Sequence, residues 1–215
     1  MIAIVDYGMG NLRSVEKALE RVGCDAERTA DHERIRAAEG IVLPGVGAFP
    51  RAMERIGELG LDTVTRERAE AGVPTLGICL GMQLLFSAST ELGGAAGLDL
   101  VEGRVSAIDA LPESGQKQVA PLKVPHIGWS PVSWSKPSRL TEGLADAEPF
   151  YFVHSFVPRP AEAADTLGTA TYGERFTCAV ERGNVYGVQF HPEKSSGAGL
   201  RLLRNFAAVC SAVLA

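Results

Sequence analysis

The first half of the chain alternates short apolar segments with segments of helical periodicity, and no other feature constrains the fold as strongly. Ile2–Val5 is a short apolar strand candidate. In the segment that follows, the apolar positions are three, four and three residues apart: Leu12, Val15, Leu19 and Val22. This spacing predicts a helix, which Asn11 caps and Gly23 ends. The repetition of this unit predicts a parallel sheet covered by helices on both faces.

Further elements follow from the same reasoning. The strands predicted next are Asp25–Arg28, Gly40–Leu43 and Val73–Leu76, with a polar helix between the first two and helices near Arg51–Ile56 and Leu61–Ala71. Beyond residue 100 turn residues are more frequent, which predicts antiparallel hairpins joined to the same sheet. The strands predicted there are Leu100–Ala107, Val119–Lys123, Pro149–Val157, Thr166–Tyr172, Thr177–Arg182 and Asn184–Phe190. Arg182-Gly-Asn184 is a predicted tight turn, and Ser196 is predicted to cap a last helix that runs through Val213.

Composition excludes several classes of function. The 215 residues carry a net charge of −5, whereas proteins that bind nucleic acids usually show a basic surface. No apolar run approaches the ~20 residues that cross a bilayer, and Met1–Asp6 is predicted as a strand rather than a signal peptide. The four cysteines lie far apart in sequence, so neither a zinc site nor a disulfide framework is indicated. We therefore expect a cytoplasmic protein with reduced thiols.

Gly77-Ile-Cys79-Leu-Gly81 is a cysteine form of the G-x-S-x-G nucleophile elbow. Such a strand turns sharply into a helix and exposes one side chain at the turn, which a Cβ at either glycine would crowd. The start of a helix also favours the thiolate form of a cysteine placed there. The alternative is an unreactive buried cysteine, which is the commoner fate of a free cysteine. Partner residues elsewhere in the sequence decide between the two.

His191 is the histidine best placed to serve Cys79. A predicted strand delivers it, Pro192 turns the chain, and Glu193 lies two residues on. The Glu193 carboxylate can accept one imidazole N–H while the other ring nitrogen faces the thiol. An isolated His-Pro-Glu would be only a solvated surface turn, so the assignment depends on the presence of Cys79.

Two glycine-rich loops are candidate binding elements. In Pro44-Gly45-Val46-Gly47 the backbone N–H groups can face a developing negative oxygen, with the Leu80 N–H as second donor. The alternatives are a plain turn or a phosphate loop, and the spacing does not support the latter. Gly8-Met-Gly10 is not a dinucleotide loop, because Arg13 stands where the third glycine is needed.

Along the chain the glycine loop comes first, the elbow second and His-Pro-Glu last. This order is typical of class I glutamine amidotransferases, which the chain resembles along essentially its whole length. Three further segments resemble the glutaminase subunits of imidazole glycerol phosphate synthases: Asp6–Val15, Pro125–Trp129 and Tyr151–Ser155. The resemblance implies an α/β fold of three layers, with a mixed, mostly parallel central sheet, helices on both faces and a nucleophile elbow. It implies a single domain over residues 1–215.

The resemblance also implies roles for individual residues. Cys79 would attack the side-chain amide of glutamine, and His191, oriented by Glu193, would move the protons. The oxyanion would rest on N–H groups of Leu80 and of Val46 or Gly47. Residues expected to hold the substrate are Gly45, Gln83, Ser155 and Phe156. No metal or cofactor is implied.

The implied partner is a (β/α)8-barrel cyclase subunit, which would form a heterodimer with this chain. It would use the ammonia to form imidazole glycerol phosphate and aminoimidazole carboxamide ribonucleotide in histidine biosynthesis. Residues expected at the interface are Asn11, His126, Trp129 and Lys194. From chemistry alone, the histidine and the tryptophan would be core residues, the lysine a solvated side chain and the asparagine only a helix cap.

Two departures from the family pattern leave the triad intact. Phe156 stands where Tyr is more frequent, and Ser130 stands where Asn is more frequent. Two other functions stay open: the glutaminase subunit of another synthase, such as pyridoxal phosphate or anthranilate synthase, and a non-catalytic regulatory module on the same fold. The segments Asp6–Asn11 and Pro125–Trp129 disfavour the first, and the presence of all three triad residues disfavours the second.

Overall fold

The computed structural model describes residues 1–108 and 123–212. The strand predicted at Val119–Lys123 lies outside this range except for its last residue, and so does Val213. The first half contains β1 Ile2–Val5, α1 Leu12–Arg21, β2 Ala26–Thr29, α2 His32–Ala37, β3 Gly40–Gly45, α3 Phe49–Glu58, α4 Leu61–Glu70, β4 Thr75–Cys79 and α5 Leu80–Leu84. These elements follow the predicted order, with ends displaced by no more than three residues.

The second half is richer in strands than the sequence indicates. It contains β5 Phe86–Ser89, β6 Ala95–Ala96, β7 Val101–Ala107, β8 His126–Trp134, β9 Glu148–His154, β10 Phe156–Pro160, β11 Thr166–Tyr172, β12 Glu174–Arg182, β13 Val185–Val188 and α6 Ser196–Ala212. Strands β5, β6 and β8 were not predicted. The strand predicted at Pro149–Val157 is divided at Ser155 into β9 and β10.

Nine strands form the central sheet in the order β2-β1-β3-β4-β13-β12-β11-β8-β9. The pairings from β2 to β13 are parallel, and those from β13 to β9 are antiparallel. Strands β4 and β13 are neighbours in the parallel half. Because both point the same way, their carboxyl ends deliver Cys79 and the chain leading to His191 to one edge of the sheet.

The predicted hairpins do not all join this sheet. Strands β7 and β10 pair with each other in a separate four-stranded sheet of order β10-β7-β5-β6, so the expectation of one sheet is wrong for them. The tight turn is present, since β12 and β13 pair in register from Arg182 and Val185. Only Ser155 separates β9 in one sheet from β10 in the other.

Helices cover both faces of the central sheet, as the alternation of side chains along β1 shows. Ile2 and Ile4 belong to the apolar core that contains residues of α1 and α6. Ala3 and Val5 belong to a second core with residues of α2, α3 and α4. Since successive side chains of a strand point to opposite faces, β1 contributes to both layers of packing.

Both predicted caps differ in detail from the structure. Asn11 occupies the N-cap position of α1, but its side chain makes no capping hydrogen bond. At α6, Ser196 is the first helical residue, and the Gly199 N–H bonds instead to the Ser195 carbonyl at 3.0 Å. The Ser195 hydroxyl, meanwhile, donates to the His191 carbonyl at 2.7 Å. No helix within residues 1–108 and 123–212 is long and apolar enough to cross a membrane.

Candidate active site

Cys79 lies where β4 meets α5, in a backbone conformation that only a tightly built turn maintains. Its φ of 55° and ψ of −112° are unusual for a residue with a side chain. A Cβ at Gly77 would lie 2.6 Å from the Gly81 carbonyl oxygen, and one at Gly81 would overlap the Leu43 carbonyl oxygen. The two glycines therefore allow α5 to fold back against β3 and β4.

The segment between β1 and α1 packs against the glycine-rich loop that follows β3. Buried Tyr7 donates its hydroxyl to the Pro44 carbonyl at 2.8 Å, which explains why a motif near the start of the chain belongs to this site. Gly45 pairs with Cys79 in the β3–β4 register, and a Cβ there would overlap the Tyr7 hydroxyl. Gly47 has a φ of 104°, in the region that favours glycine.

His191 is held by Glu193 in the arrangement that the sequence predicted. The imidazole Nδ1 and the Glu193 Oε1 are 2.8 Å apart, and both side chains are buried, with exposed fractions of 3% and 1%. Among the described residues His191 Nε2 has no hydrogen-bond partner. Since a neutral imidazole that donates from Nδ1 keeps its Nε2 lone pair free, this nitrogen is available to take a proton from the Cys79 side.

The protonation of His191 depends on its two neighbours. Burial opposes its charge, but contacts with Cys79 and with Glu193 outweigh burial and raise the pKa of His191 from 6.5 to about 9. An imidazolium beside the sulfur would in turn favour a thiolate. The geometry therefore suits an ion pair of Cys79 and His191 as well as a neutral pair.

Two buried amides connect the cysteine to the neighbouring strand. Gln83 Nε2 donates to the Phe156 carbonyl at 3.2 Å and to Gln189 Oε1 at 3.0 Å. Gln189 Nε2 lies 3.7 Å from Cys79 Sγ. Gln189 was not selected from the sequence, because a glutamine two residues before a histidine carries no signal until its contacts are known.

A chain of neutral polar groups continues from the same carbonyl. His154 bonds through Nδ1 to the Phe156 carbonyl at 2.9 Å and through Nε2 to His126 Nδ1 at 3.1 Å. His126 Nε2 lies 2.9 Å from the Ser130 hydroxyl. Burial lowers the pKa of His154 to about 3, so it is neutral at physiological pH. Ser130, one of the departures from the family pattern, therefore completes a hydrogen-bonded chain.

A cavity of about 300 Å³ opens beside Cys79. Its lining includes most of the residues that the sequence predicted for the oxyanion and the substrate: Val46, Gly47, Leu80, Gln83, Ser155 and Phe156. Gly45 is the exception, because it is buried under Leu80 and does not line the cavity. Glu91, which was not predicted, contributes a carboxylate to the lining and accepts the Phe49 N–H at 2.8 Å.

The residues predicted at the partner interface divide into exposed and buried ones. Asn11 and Lys194 are exposed, and the Lys194 ammonium lies 5.9 Å from the centre of the Tyr151 ring. Trp129 is 52% exposed and also contacts Tyr151 edge-on. His126 is only 3% exposed, so its side chain lies in the interior of the chain, and a role for it at the interface stays a prediction. Its place on β8 turns it inward, whereas Trp129 faces outward.

Comparison with known proteins decides the family. The family model "Glutamine amidotransferase class-I" matches residues 3–210. The chain belongs to the class I glutamine amidotransferase family. A relative of this amidotransferase in Moorella thermoacetica, named imidazole glycerol phosphate synthase subunit HisH, is 51% identical over 95% of the chain and 93% of the relative. The protein of the same name in Geobacillus kaustophilus is 44% identical over 98% of each chain.

Solved structures agree on the fold of the amidotransferase. A crystal structure described as a glutamine amidotransferase has a TM-score of 0.73 at 22% identity and covers 98% of this chain and 100% of its own. A putative GMP synthase component from Thermoplasma acidophilum also has a TM-score of 0.73, at 18% identity, and covers 99% of this chain and 94% of its own. At these identities the similarity concerns the fold, and it establishes the class I architecture of mixed sheet and helices.

Proposed function

We propose that this amidotransferase is the glutaminase subunit of an imidazole glycerol phosphate synthase. Its relatives at 51% and 44% identity over nearly their whole length carry that name. The observation that carries the catalytic part is the meeting of Cys79, the free Nε2 of His191 and the buried Glu193 beside one cavity. The four free cysteines agree with a reducing compartment, so we place the protein in the cytoplasm.

In the proposed reaction Cys79 is the nucleophile. Its thiol proton passes to His191 Nε2, and the sulfur attacks the carboxamide carbon of glutamine. The oxyanion that forms is stabilised by the N–H of Leu80 and by an N–H of the Val46–Gly47 loop. The imidazolium then protonates the NH2 group of the tetrahedral intermediate, the carbon–nitrogen bond breaks and ammonia leaves; the neutral imidazole next activates the water that releases glutamate from the thioester.

Two side chains of the cavity suit the amino-acid end of this substrate. Both Gln83 N–H groups are already used, by the Phe156 carbonyl and by Gln189. Gln83 can therefore offer only its Oε1, which accepts from an N–H group of the substrate. Glu91 places a carboxylate in the same cavity, where it can pair with an α-ammonium group. Ser155 and Phe156 also line the cavity, where they can contact the α-carboxylate.

The ammonia would pass to a (β/α)8-barrel cyclase subunit, with which the chain would form a heterodimer. Free ammonia is protonated in water, so transfer favours a closed route between two docked proteins. The exposed apolar side chains include Val46, which lines the cavity, and Val124, Ile127 and Trp129 on and before β8. Apolar residues of this kind are typical of an interaction surface, and Lys194 adds a positive charge beside them.

The decisive experiment compares glutamine and ammonia as nitrogen sources in the assembled complex. Cys79→Ala should abolish glutamine-dependent synthesis, and its glutaminase activity should fall by at least about a thousandfold. Ammonia-dependent synthesis should persist, because the cyclase site is untouched. Cys24→Ala is the matched control, since that thiol is half-buried and does not line the cavity. Retained glutaminase activity in Cys79→Ala would refute the proposal.

The coupling to the partner needs a separate measurement. Glutaminase activity should be low for the isolated chain and should rise when the cyclase, together with its ligand, is added. An isolated chain that is already fully active would contradict coupled transfer, while hydrolysis itself would stand.

A further inference from the structure

Gln189 is a buried polar side chain that the catalytic steps above do not use. It follows β13, its exposed fraction is 0%, and it comes two residues before His191. An amide buried without hydrogen bonds would cost several kcal/mol. A leucine of similar size would fill the same space without that cost, so the partners of this amide are informative.

The direction of the amide is fixed by a group that can only accept. The Phe156 carbonyl has no proton to give, so Gln83 must turn its Nε2 toward it. The second Gln83 N–H then reaches Gln189 Oε1 at 3.0 Å. This contact leaves the Gln189 Nε2 on the side of Cys79, whose sulfur is 3.7 Å away. Flipping either amide would bring like groups together, so the N–H is directed at the sulfur.

The sulfur has a different partner for each of its protonation states. As a thiol, Cys79 can donate to the Val153 carbonyl, 3.8 Å from Sγ. After its proton moves to His191 Nε2, the electron pair stays on sulfur, and the carbonyl oxygen of Val153 can no longer bond to it. The Gln189 N–H is then a second donor beside the imidazolium N–H of His191, and a hydrogen bond to a charged acceptor is stronger than one to a neutral group.

We propose that Gln189 is a catalytic residue that donates its side-chain N–H to the Cys79 thiolate and stabilises it before attack. The inference rests on the proposed role of Cys79 as nucleophile. Gln83 is a positioning residue in this arrangement, because its own N–H polarises and orients the Gln189 amide. The donor is distinct from the oxyanion N–H groups, which act after the carbon–sulfur bond forms.

The test measures the thiolate directly and needs neither glutamine nor a partner. The rate of Cys79 alkylation by iodoacetamide is followed against pH, with mass spectrometry of the peptide that contains Cys79. Gln189→Leu should slow alkylation at pH 7 about tenfold and move the midpoint of the pH profile about one unit upward. Gln189→Glu keeps the shape and the acceptor for Gln83 but removes the donor, and it should be slower still.

Thr75→Val is the matched control, because that hydroxyl is also fully buried in β4 and bonds to the Val73 carbonyl rather than to Cys79 or Gln189. Its profile should coincide with that of the wild type. If Gln189→Leu and Gln189→Glu are folded and their profiles also coincide with the wild type, the proposal is overturned. If Gln189→Leu shifts the alkylation profile but the wild-type chain, assembled with the cyclase, does not hydrolyse glutamine, the role of Gln189 is upheld and the proposed function is refuted.

If neither variant folds, the wild-type chain provides the answer by NMR. The side-chain amide resonances of Gln189 should move over the pH range in which Cys79 is deprotonated, and Cys79→Ala should abolish that movement. Resonances that do not respond to the state of Cys79 would equally overturn the proposal.

Discussion

At the scale of the residue, the charge of His191 is set by groups that stand on both sides of its ring. Burial opposes protonation, whereas Cys79 and Glu193 favour it and raise the pKa of His191 to about 9. The Glu193 contact comes from within the same turn, but the Cys79 contact exists only because β4 and β13 are neighbours in the sheet. A local motif thus acquires its chemistry from a long-range pairing.

The raised pKa makes a prediction about stability. Because the folded-state pKa lies above the unfolded value of 6.5, protonation of His191 favours folding. Its contribution is complete below pH 6.5 and is lost as the pH rises through about 9. In urea titrations, the free energy of unfolding of the wild type relative to His191→Asn should therefore fall by about 2–3 kcal/mol between pH 7 and pH 10.

His32→Asn provides the control, since that residue bonds to the Leu59 carbonyl and does not line the cavity. A difference between wild type and His191→Asn that stays constant over the range would contradict the assigned pKa. Cys79→Ala should move the NMR titration midpoint of His191 to lower pH, because one of the groups that raise it has been removed.

At the scale of the element, the elbow depends on how closely α5 approaches β3. Gly81→Ala would place a methyl group on the Leu43 carbonyl oxygen, a backbone atom that cannot rotate away. We expect a loss of at least about 3 kcal/mol in the free energy of unfolding, or no folded protein, because overpacked backbone cannot relax. Thermal or urea unfolding measures the effect.

Gly57→Ala is the matched control for that substitution. Gly57 lies within α3, and among the described residues no atom beyond the local backbone of that helix and the two adjacent residues lies within 4 Å of the position that an alanine methyl group would occupy there. The change should raise the free energy of unfolding by about 0.5–1 kcal/mol, since alanine loses less conformational freedom in a helix. Equal effects of the two substitutions would show that the close approach at Gly81 is unimportant.

Prediction of the elements from sequence succeeded where the signal is local. Strand β1 and helix α1 follow from apolar spacing alone, and β11 was predicted with both of its ends, Thr166 and Tyr172. Strand β8 was missed because Gly128 and Pro131 lie within it, and both residues are unfavourable in strands. The division of β7 and β10 into a second sheet depends on long-range pairing, which periodicity does not encode.

At the scale of the whole molecule, the site joins segments from both halves of the chain. The motifs that contain Cys79 and His191 can be recognised from the sequence alone, and in the structure both residues line one cavity. Glu91 and Gln189 could not be found in the same way, because their importance lies in contacts with residues distant in sequence. The burial of His126 could not be predicted either, because a motif indicates a strand but not which of its faces is buried.

The proposed interaction surface, which includes Trp129, can be tested without measuring glutamine hydrolysis. Trp129→Ala should lower the free energy of unfolding by at most about 1 kcal/mol, because the indole is half exposed. Calorimetric titration with the cyclase subunit should show a dissociation constant raised at least about tenfold, as expected for an exposed aromatic anchor. Arg55→Ala, which removes an exposed side chain that pairs with Glu58 on α3, should leave the affinity unchanged. Unchanged affinity in Trp129→Ala would place the interface elsewhere.

The two faces of β8 have a practical consequence. The chain has two tryptophans. Trp134 is anchored by its indole N–H to the Ala145 carbonyl at 3.2 Å, whereas Trp129 stands half in water. Indole emission moves to shorter wavelength when water is excluded. If a partner covers this face of β8, the change in fluorescence of the unlabelled protein should therefore come mainly from Trp129. Trp129 is thus an intrinsic fluorescent reporter on the outward face of β8. The inward face of the same strand carries His126 and Ser130, where the hydrogen-bonded chain toward the cavity begins.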